Sequence, residues 1–216
     1  MTQFEKVFYM LKKPWIIILY ALFVFLAYYF VDKSLATYFY QLDLRTQAPL
    51  LGLLTALGKQ SFYIILFLLS GLFFRYIQIN SVYEARSWYL FGCVFVANLV
   101  CLILKVALSR ARPDLWFSSH EFGFYWFQTS DNYWSFPSGH TTTVTSLAVG
   151  FGVLFPRYFY AMLGIAFLVI ATRVLLHKHY LSDVMSAFYI SFLVVGFFTE
   201  YLKRKNWFKK SRCIMQ

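Results

Sequence analysis

Six stretches of this chain are almost wholly apolar, and the polar residues gather between them. The runs cover residues 15–31, 62–79, 88–108, 141–155, 159–176 and 184–201. Each approaches the roughly twenty apolar residues that cross a hydrocarbon core of about 30 Å, where backbone groups must bond within their own segment. The pattern predicts an all-α, polytopic membrane protein with six transmembrane helices in one bundle, the shorter runs extended by flanking residues. Trp15, Trp88 and Trp207 sit near proposed ends, where amphipathic rings favour the headgroup layer. Between the first two runs, residues 41–58 scatter Leu42, Leu44, Leu50, Leu51, Leu53 and Leu54 among polar residues. An interfacial helix in this first outer loop is the expectation, and a loop packed on the bundle is the alternative. With no Gly/Ser linker and no repeat, residues 1–216 read as a single domain.

Composition strengthens the membrane reading. The 216 residues are 60% hydrophobic and 23% aromatic but only 13% charged, about half the charged share of a soluble domain. A net charge of +11 would suit nucleic acid. Here, however, the basic residues lie in short tails and loops between apolar runs, which sets a nucleic-acid partner aside. Lys6, Lys12, Lys13, Arg75, Arg86, Arg157 and the tail Lys203, Arg204, Lys205, Lys209, Lys210 and Arg212 all fall on one side of the predicted topology. The positive-inside bias places that side, with both termini, in the cytoplasm. The first run follows Lys12-Lys13 but is too long for a signal-peptide core, so an uncleaved anchor is expected. Cys93, Cys101 and Cys213 show no CxxC or zinc spacing and read as unpaired thiols.

Chemistry is confined to three short motifs, each at the edge of an apolar run. In the first, Lys105 precedes Arg112-Pro113 by seven residues. Two cations there could grip a phosphate, the guanidinium bidentately, or simply snorkel to water, as is expected of Arg110 and Lys178. The second motif is Pro137-Ser138-Gly139-His140, directly before the fourth run. A helix starting here turns its free N–H groups and positive dipole end toward an anion. Gly139 permits close approach, Ser138 can cap the helix or donate to phosphate, and His140 can pass a proton near neutral pH. The third motif, Arg173, His179 and Asp183, straddles the junction of the last two runs. A carboxylate beside an imidazole fixes its tautomer and leaves the other nitrogen free to attack, although Asp183 could instead cap the sixth helix. Two histidines, His177 and His179, with scattered carboxylates make no persuasive metal set, so neither metal nor other cofactor is expected.

In order, spacing and hydrophobic setting, Lys105-x6-Arg112-Pro113, Pro137-Ser138-Gly139-His140 and Arg173-x5-His179-x3-Asp183 resemble the signatures of the type 2 phosphatidic acid phosphatase superfamily. Its members are metal-independent lipid phosphate phosphatases. Thr172 stands where that family often has Ser before the Arg and keeps a hydroxyl. The resemblance implies an active-site core over residues 105–183. Within it His179 would be the nucleophile, Asp183 its orienting partner and His140 the proton donor to the leaving group. Lys105, Arg112, Ser138, Gly139 and Arg173 would bind the phosphoryl oxygens. It further implies a site on the membrane face opposite the termini, the periplasmic face of a bacterial inner membrane. The implied substrate is a lipid phosphate or diphosphate: phosphatidylglycerophosphate, undecaprenyl diphosphate, phosphatidic acid or lipid A. Two other functions fit the same residues. One is a lipid phosphotransferase drawing on a polyprenyl diphosphate, and the other a non-enzymatic anion or lipid transporter. The oligomeric state is left open.

Overall fold

The computed structural model describes residues 1–210, so Arg212 and Cys213 lie outside the described residues. A short helix α1 (Gln3–Leu11) leads into α2 (Pro14–Gln41), followed by α3 (Pro49–Ala56), α4 (Gln60–Tyr76) and α5 (Ser81–Leu108). After a long irregular segment come α6 (Gly139–Leu154), α7 (Phe159–Leu175) and α8 (Leu181–Arg204). No strand is present among the described residues, and a single isolated bridge pairs Arg110 with Phe124.

Among the described residues, five helical segments are long and apolar enough to cross a membrane: Pro14–Gln41, Pro49–Tyr76, Ser81–Leu108, Pro156–Leu175 and Leu181–Arg204. The protein is an all-α integral membrane protein. The expected fourth span is α6, with only 16 residues, about 24 Å at the helical rise. It sits at the centre, packed against α5, α7 and α8, and nearly every residue from Thr141 to Leu154 is buried. Its composition explains the position. Small residues let neighbouring backbones close in where hydrocarbon supplies no drive for association. At Gly152, for example, a Cβ would lie 2.4 Å from the Phe159 ring. By contrast, α2 and α4 turn Ile18, Phe23, Phe30, Phe62 and Leu69 outward, as lipid-facing helices do.

Besides helix ends that run a few residues past the apolar stretches, as α5 does in starting at Ser81, two places depart from expectation. The first helix does not stop at Val31 but continues to Gln41 through a π turn at Ala27–Val31. The polar stretch Asp32-Lys33-Ser34 stays helical because the turn rotates Asp32 inward, where it is buried, while Lys33 and Ser34 remain exposed. In the first outer loop, a helical turn at Leu44–Gln47 and α3 replace one continuous interfacial helix. Pro49 starts α3, and α3 runs almost directly into α4.

Local signals set the remaining ends. Asn80 Oδ1 accepts from the Val82 and Tyr83 amides at 3.1 and 3.2 Å and caps α5. At the far end, α5 stops where Ser109 turns left-handed, φ 46°. Because α8 runs 24 residues, about 36 Å, its two ends belong to different surroundings. Its C-terminal end meets α1 through ion pairs Lys12–Glu200 and Lys203–Glu5. Its N-terminal end lies among the motif residues.

Candidate active site

The three motifs converge at that N-terminal end of α8. His179 sits in the tight turn between α7 and α8, held by a bond from its own amide to the Arg173 carbonyl at 3.2 Å. Its ring is buried, and Nδ1 lies 2.7 Å from the carbonyl oxygen of Ser135. A carbonyl can only accept, so Nδ1 carries the proton and Nε2 keeps its lone pair. Asp183 stands farther off, 3.8 Å from Nδ1, an electrostatic contact beyond hydrogen-bond range. Its Oδ2 accepts instead from the Ser135 hydroxyl at 2.6 Å and from the Tyr180 amide at 3.0 Å. The Ser135 carbonyl, and not the expected carboxylate, thus fixes the tautomer of His179, and Asp183 acts one step behind it. Asp183 caps α8, and it fixes Ser135, the residue whose carbonyl orients His179.

Cations surround this imidazole. Burial pushes the His179 pKa well below the ordinary histidine value; Asp183 opposes the shift, while Arg173, Arg112 and Lys105 reinforce it. At neutral pH the ring is therefore an uncharged base. Arg112, Lys105 and Arg173, with Lys59, also act on His140, which is half-buried at the start of α6. One group of positive charges thus serves both histidines. Each cation is anchored by a polar group: Lys105 Nζ donates to the Trp134 carbonyl at 2.6 Å, Arg112 Nε to the Asp131 carbonyl at 2.8 Å, and Arg173 to the Thr55 hydroxyl at 2.7 Å. The buried Arg173 Nε has no partner among the described residues.

The second motif closes the arrangement. Ser138 is buried, its amide reaches the Asp183 carbonyl at 3.4 Å, and its hydroxyl accepts from Thr141 at 3.1 Å. It makes no side-chain cap for α6, which leaves the first-turn amides of that helix without one. Gly139 lies against the Lys105 chain, with a Cβ position 3.7 Å from Lys105 Cε. Gly58 seats the His140 ring so closely that a Cβ there would lie 2.6 Å from it. A cavity of about 710 Å³ opens beside Lys105, Gly139 and His140 and runs between α4 and α5 along Ile64, Leu99 and Leu102. One end is cationic and the other apolar, a shape suited to a lipid headgroup and its chain.

Several partners were absent from the sequence reading. Arg110, expected to snorkel, is wholly buried in ion pairs with Asp32 and Asp183. It cannot reach water because Tyr28, Phe122, Phe124 and Tyr180 enclose its guanidinium. A carboxylate at the very end of the first apolar run was the signal for Asp32, since ionisable groups at membrane depth turn inward and pair. Ser135 had no such signal, because a backbone carbonyl looks the same at every position. Arg45 ties the loop after α2 to the site, donating to the Leu176 and His177 carbonyls and pairing with Asp114 at 2.8 Å. His177 packs against Tyr40 and Phe117, apart from this machinery.

The chain resembles known proteins in sequence and in fold. Residues 86–207 match the family described as the PAP2 superfamily. Over 103 residues the chain is 42% identical to proteins named lipid A 1-phosphatase from Rhizobium johnstonii and Rhizobium etli. The aligned stretch is 46% of this chain and 42% and 44% of those two proteins, so less than half of either relative is matched. The fold also resembles the crystal structure of a transmembrane PAP2 type phosphatidylglycerolphosphate phosphatase from Bacillus subtilis. That likeness has a TM-score of 0.55 at 19% identity and covers 87% of this chain and 96% of that one.

Proposed function

The chain belongs to the PAP2 superfamily, and we propose that it is a metal-independent lipid phosphatase acting through a phosphohistidine on His179. The observation that carries this reading is the Nδ1 bond to the Ser135 carbonyl at 2.7 Å, which leaves Nε2 as the nucleophilic atom among Lys105, Arg112 and Arg173. In the first step Nε2 bonds to phosphorus as the bond from phosphorus to the leaving oxygen breaks, and His140, whose protonated form the bound phosphate dianion favours by offsetting the cations around it, gives that oxygen its proton. In the second, water attacks the phosphohistidine, His140 takes the water's proton, and the nitrogen–phosphorus bond breaks to free phosphate. The three cations, the Ser138 hydroxyl and the amides near Gly139 balance the charge on the nonbridging oxygens, the chief requirement of phosphoryl transfer.

The lipid chain fits the apolar part of the cavity between α4 and α5, whose polar end is lined by Lys59, Lys105 and His140, and the phosphate would pass beyond that end to His179. Among the candidate lipids, the names of the Rhizobium relatives favour the 1-phosphate of lipid A. The positive-inside bias of the sequence supports a bacterial inner-membrane location with cytoplasmic termini and a periplasmic site. The test is phosphate release in detergent from lipid A, phosphatidylglycerophosphate, phosphatidic acid and undecaprenyl diphosphate, with wild type and His179→Ala. Release from at least one lipid, fastest from lipid A, insensitive to EDTA and lost in the variant, is expected. Activity that survives His179→Ala would remove the nucleophile, and dependence on a chelatable metal would remove the metal-free mechanism.

A further inference from the structure

A second charged assembly lies directly behind the His179 turn, and the reaction scheme does not use it. The π turn at Ala27–Val31 delivers Asp32 from a lipid-facing helix into the protein interior. Asp32 Oδ1 accepts from the Ser182 amide at 3.0 Å, within the first turn of α8, and its Oδ2 accepts from the Ser182 hydroxyl and from Arg110 at 2.8 Å. The other arm of the Arg110 guanidinium meets Asp183 Oδ1 at 2.5 Å and the Ser182 hydroxyl at 2.7 Å. Arg110 is fully buried, its guanidinium 4.3 and 4.7 Å from the Tyr180 and Tyr28 ring centres.

Buried charges of this kind are costly unless each is paired, and their retention calls for a reason beyond stability. The geometry supplies one. Arg110 occupies Asp183 Oδ1, so only Oδ2 remains for Ser135, and Ser135 in turn presents its carbonyl to His179. Two carboxylates against one guanidinium also leave this cluster with one net negative charge beside the imidazole. That charge opposes the positive charge that His179 develops when Nε2 bonds to phosphorus.

We propose that Asp32 and Arg110 are positioning residues for phosphoryl transfer, acting on His179 through Asp183 and Ser135. The inference rests on His179 as the nucleophile. It makes the first transmembrane helix, which carries none of the three motifs, a working part of the active site. The contribution belongs to the chemical step and not to lipid binding, because neither residue faces the cavity.

The experiment compares Asp32→Asn, Arg110→Lys and His179→Ala with wild type, each purified in detergent and assayed per folded molecule for kcat and KM on lipid phosphate. Asp32→Asn keeps the shape but removes the net negative charge. Arg110→Lys keeps the cation but loses the two-armed fork. For both, kcat is expected to fall by up to about 100-fold, with KM within about twofold of wild type. Wild-type kcat in folded Asp32→Asn, or a loss that appears only in KM, would overturn the proposal. If Asp32→Asn does not fold, Arg110→Lys carries the same criteria. If neither folds, a structural role replaces the positioning role and the proposal is overturned. An active His179→Ala would refute the nucleophile itself. An inactive His179→Ala beside an unimpaired Asp32→Asn would refute the positioning role alone.

Discussion

The two ends of the bundle are built on opposite principles. At the end formed by α1 and the C-terminal part of α8, the interior is aromatic: Phe4 stacks on Phe8 and Phe192 and meets Phe159 edge-on, Tyr89 packs against Phe198 and Phe208, and the ion pairs Lys12–Glu200 and Lys203–Glu5 lie at the partly exposed margin. At the motif end the order is reversed. Arg110, Asp32 and Asp183 are wholly buried, with His179 and Arg173 nearly so, and much of the aromatic material (Trp126, Phe127) is exposed. Hydrocarbon packing is the economical way to hold helices together, so a cluster of buried charges maintained at one end only marks where the protein does something other than fold. The contrast separates residues that support the bundle from residues that support chemistry.

Four substitutions or conditions test that separation. The largest effect is expected at the motif end. Arg173→Ala removes one of the three cations shared by both histidines and should lower kcat/KM by roughly 100- to 1,000-fold, with thermal stability in detergent little changed. A comparable loss of stability with normal activity per folded molecule would assign Arg173 to the scaffold. The converse holds for Phe8→Ala at the other end. Loss of a ring buried against Gly196 and Phe4 should destabilise by about 3 kcal/mol, seen as a lower unfolding temperature, while kcat per folded molecule stays at the wild-type value. Smaller still, Lys203→Met breaks a partly exposed ion pair with Glu5 and should cost no more than about 1 kcal/mol, shrinking further in high salt.

The smallest expected change is in pH dependence. The reactive form of His179 is the neutral ring, lost when pH falls through its folded pKa, and burial sets that pKa well below 6.5. Once the titration of the substrate phosphate is divided out, no acid limb attributable to His179 should appear in kcat/KM near pH 6.5. A limb centred there, and left in place by burial-relieving changes around Ser135, would show that the ring is solvated in the working enzyme.

Much of this was legible in the chain. The apolar runs gave the helices because backbone groups in hydrocarbon leave few alternatives, and the motif spacings picked out Lys105, Arg112 and Arg173, the cations that act on His179. The failures have common physical causes. Asp32-Lys33-Ser34 looked like the end of the first helix, since polarity at the end of an apolar run usually marks water; the π turn that hides Asp32 has no residue signature. Arg110 looked like a snorkelling side chain until Tyr28 and Tyr180, from distant segments, closed over it. Ser135 acts through its carbonyl, for which any residue type would serve. The 16-residue α6 shows the opposite limit: its run was visible, but its burial in the centre of the bundle depends on neighbours that no single segment specifies.

The most direct test is to quench the wild-type protein during turnover of a labelled lipid phosphate and locate the bound phosphoryl group by mass spectrometry and phosphorus NMR. Phosphorus on Nε2 of His179 is the expected result, given the Nδ1 bond to the Ser135 carbonyl. A phosphoryl group on Nδ1 of His179 or on His140, or active turnover with no protein-bound phosphorus at all, would contradict it.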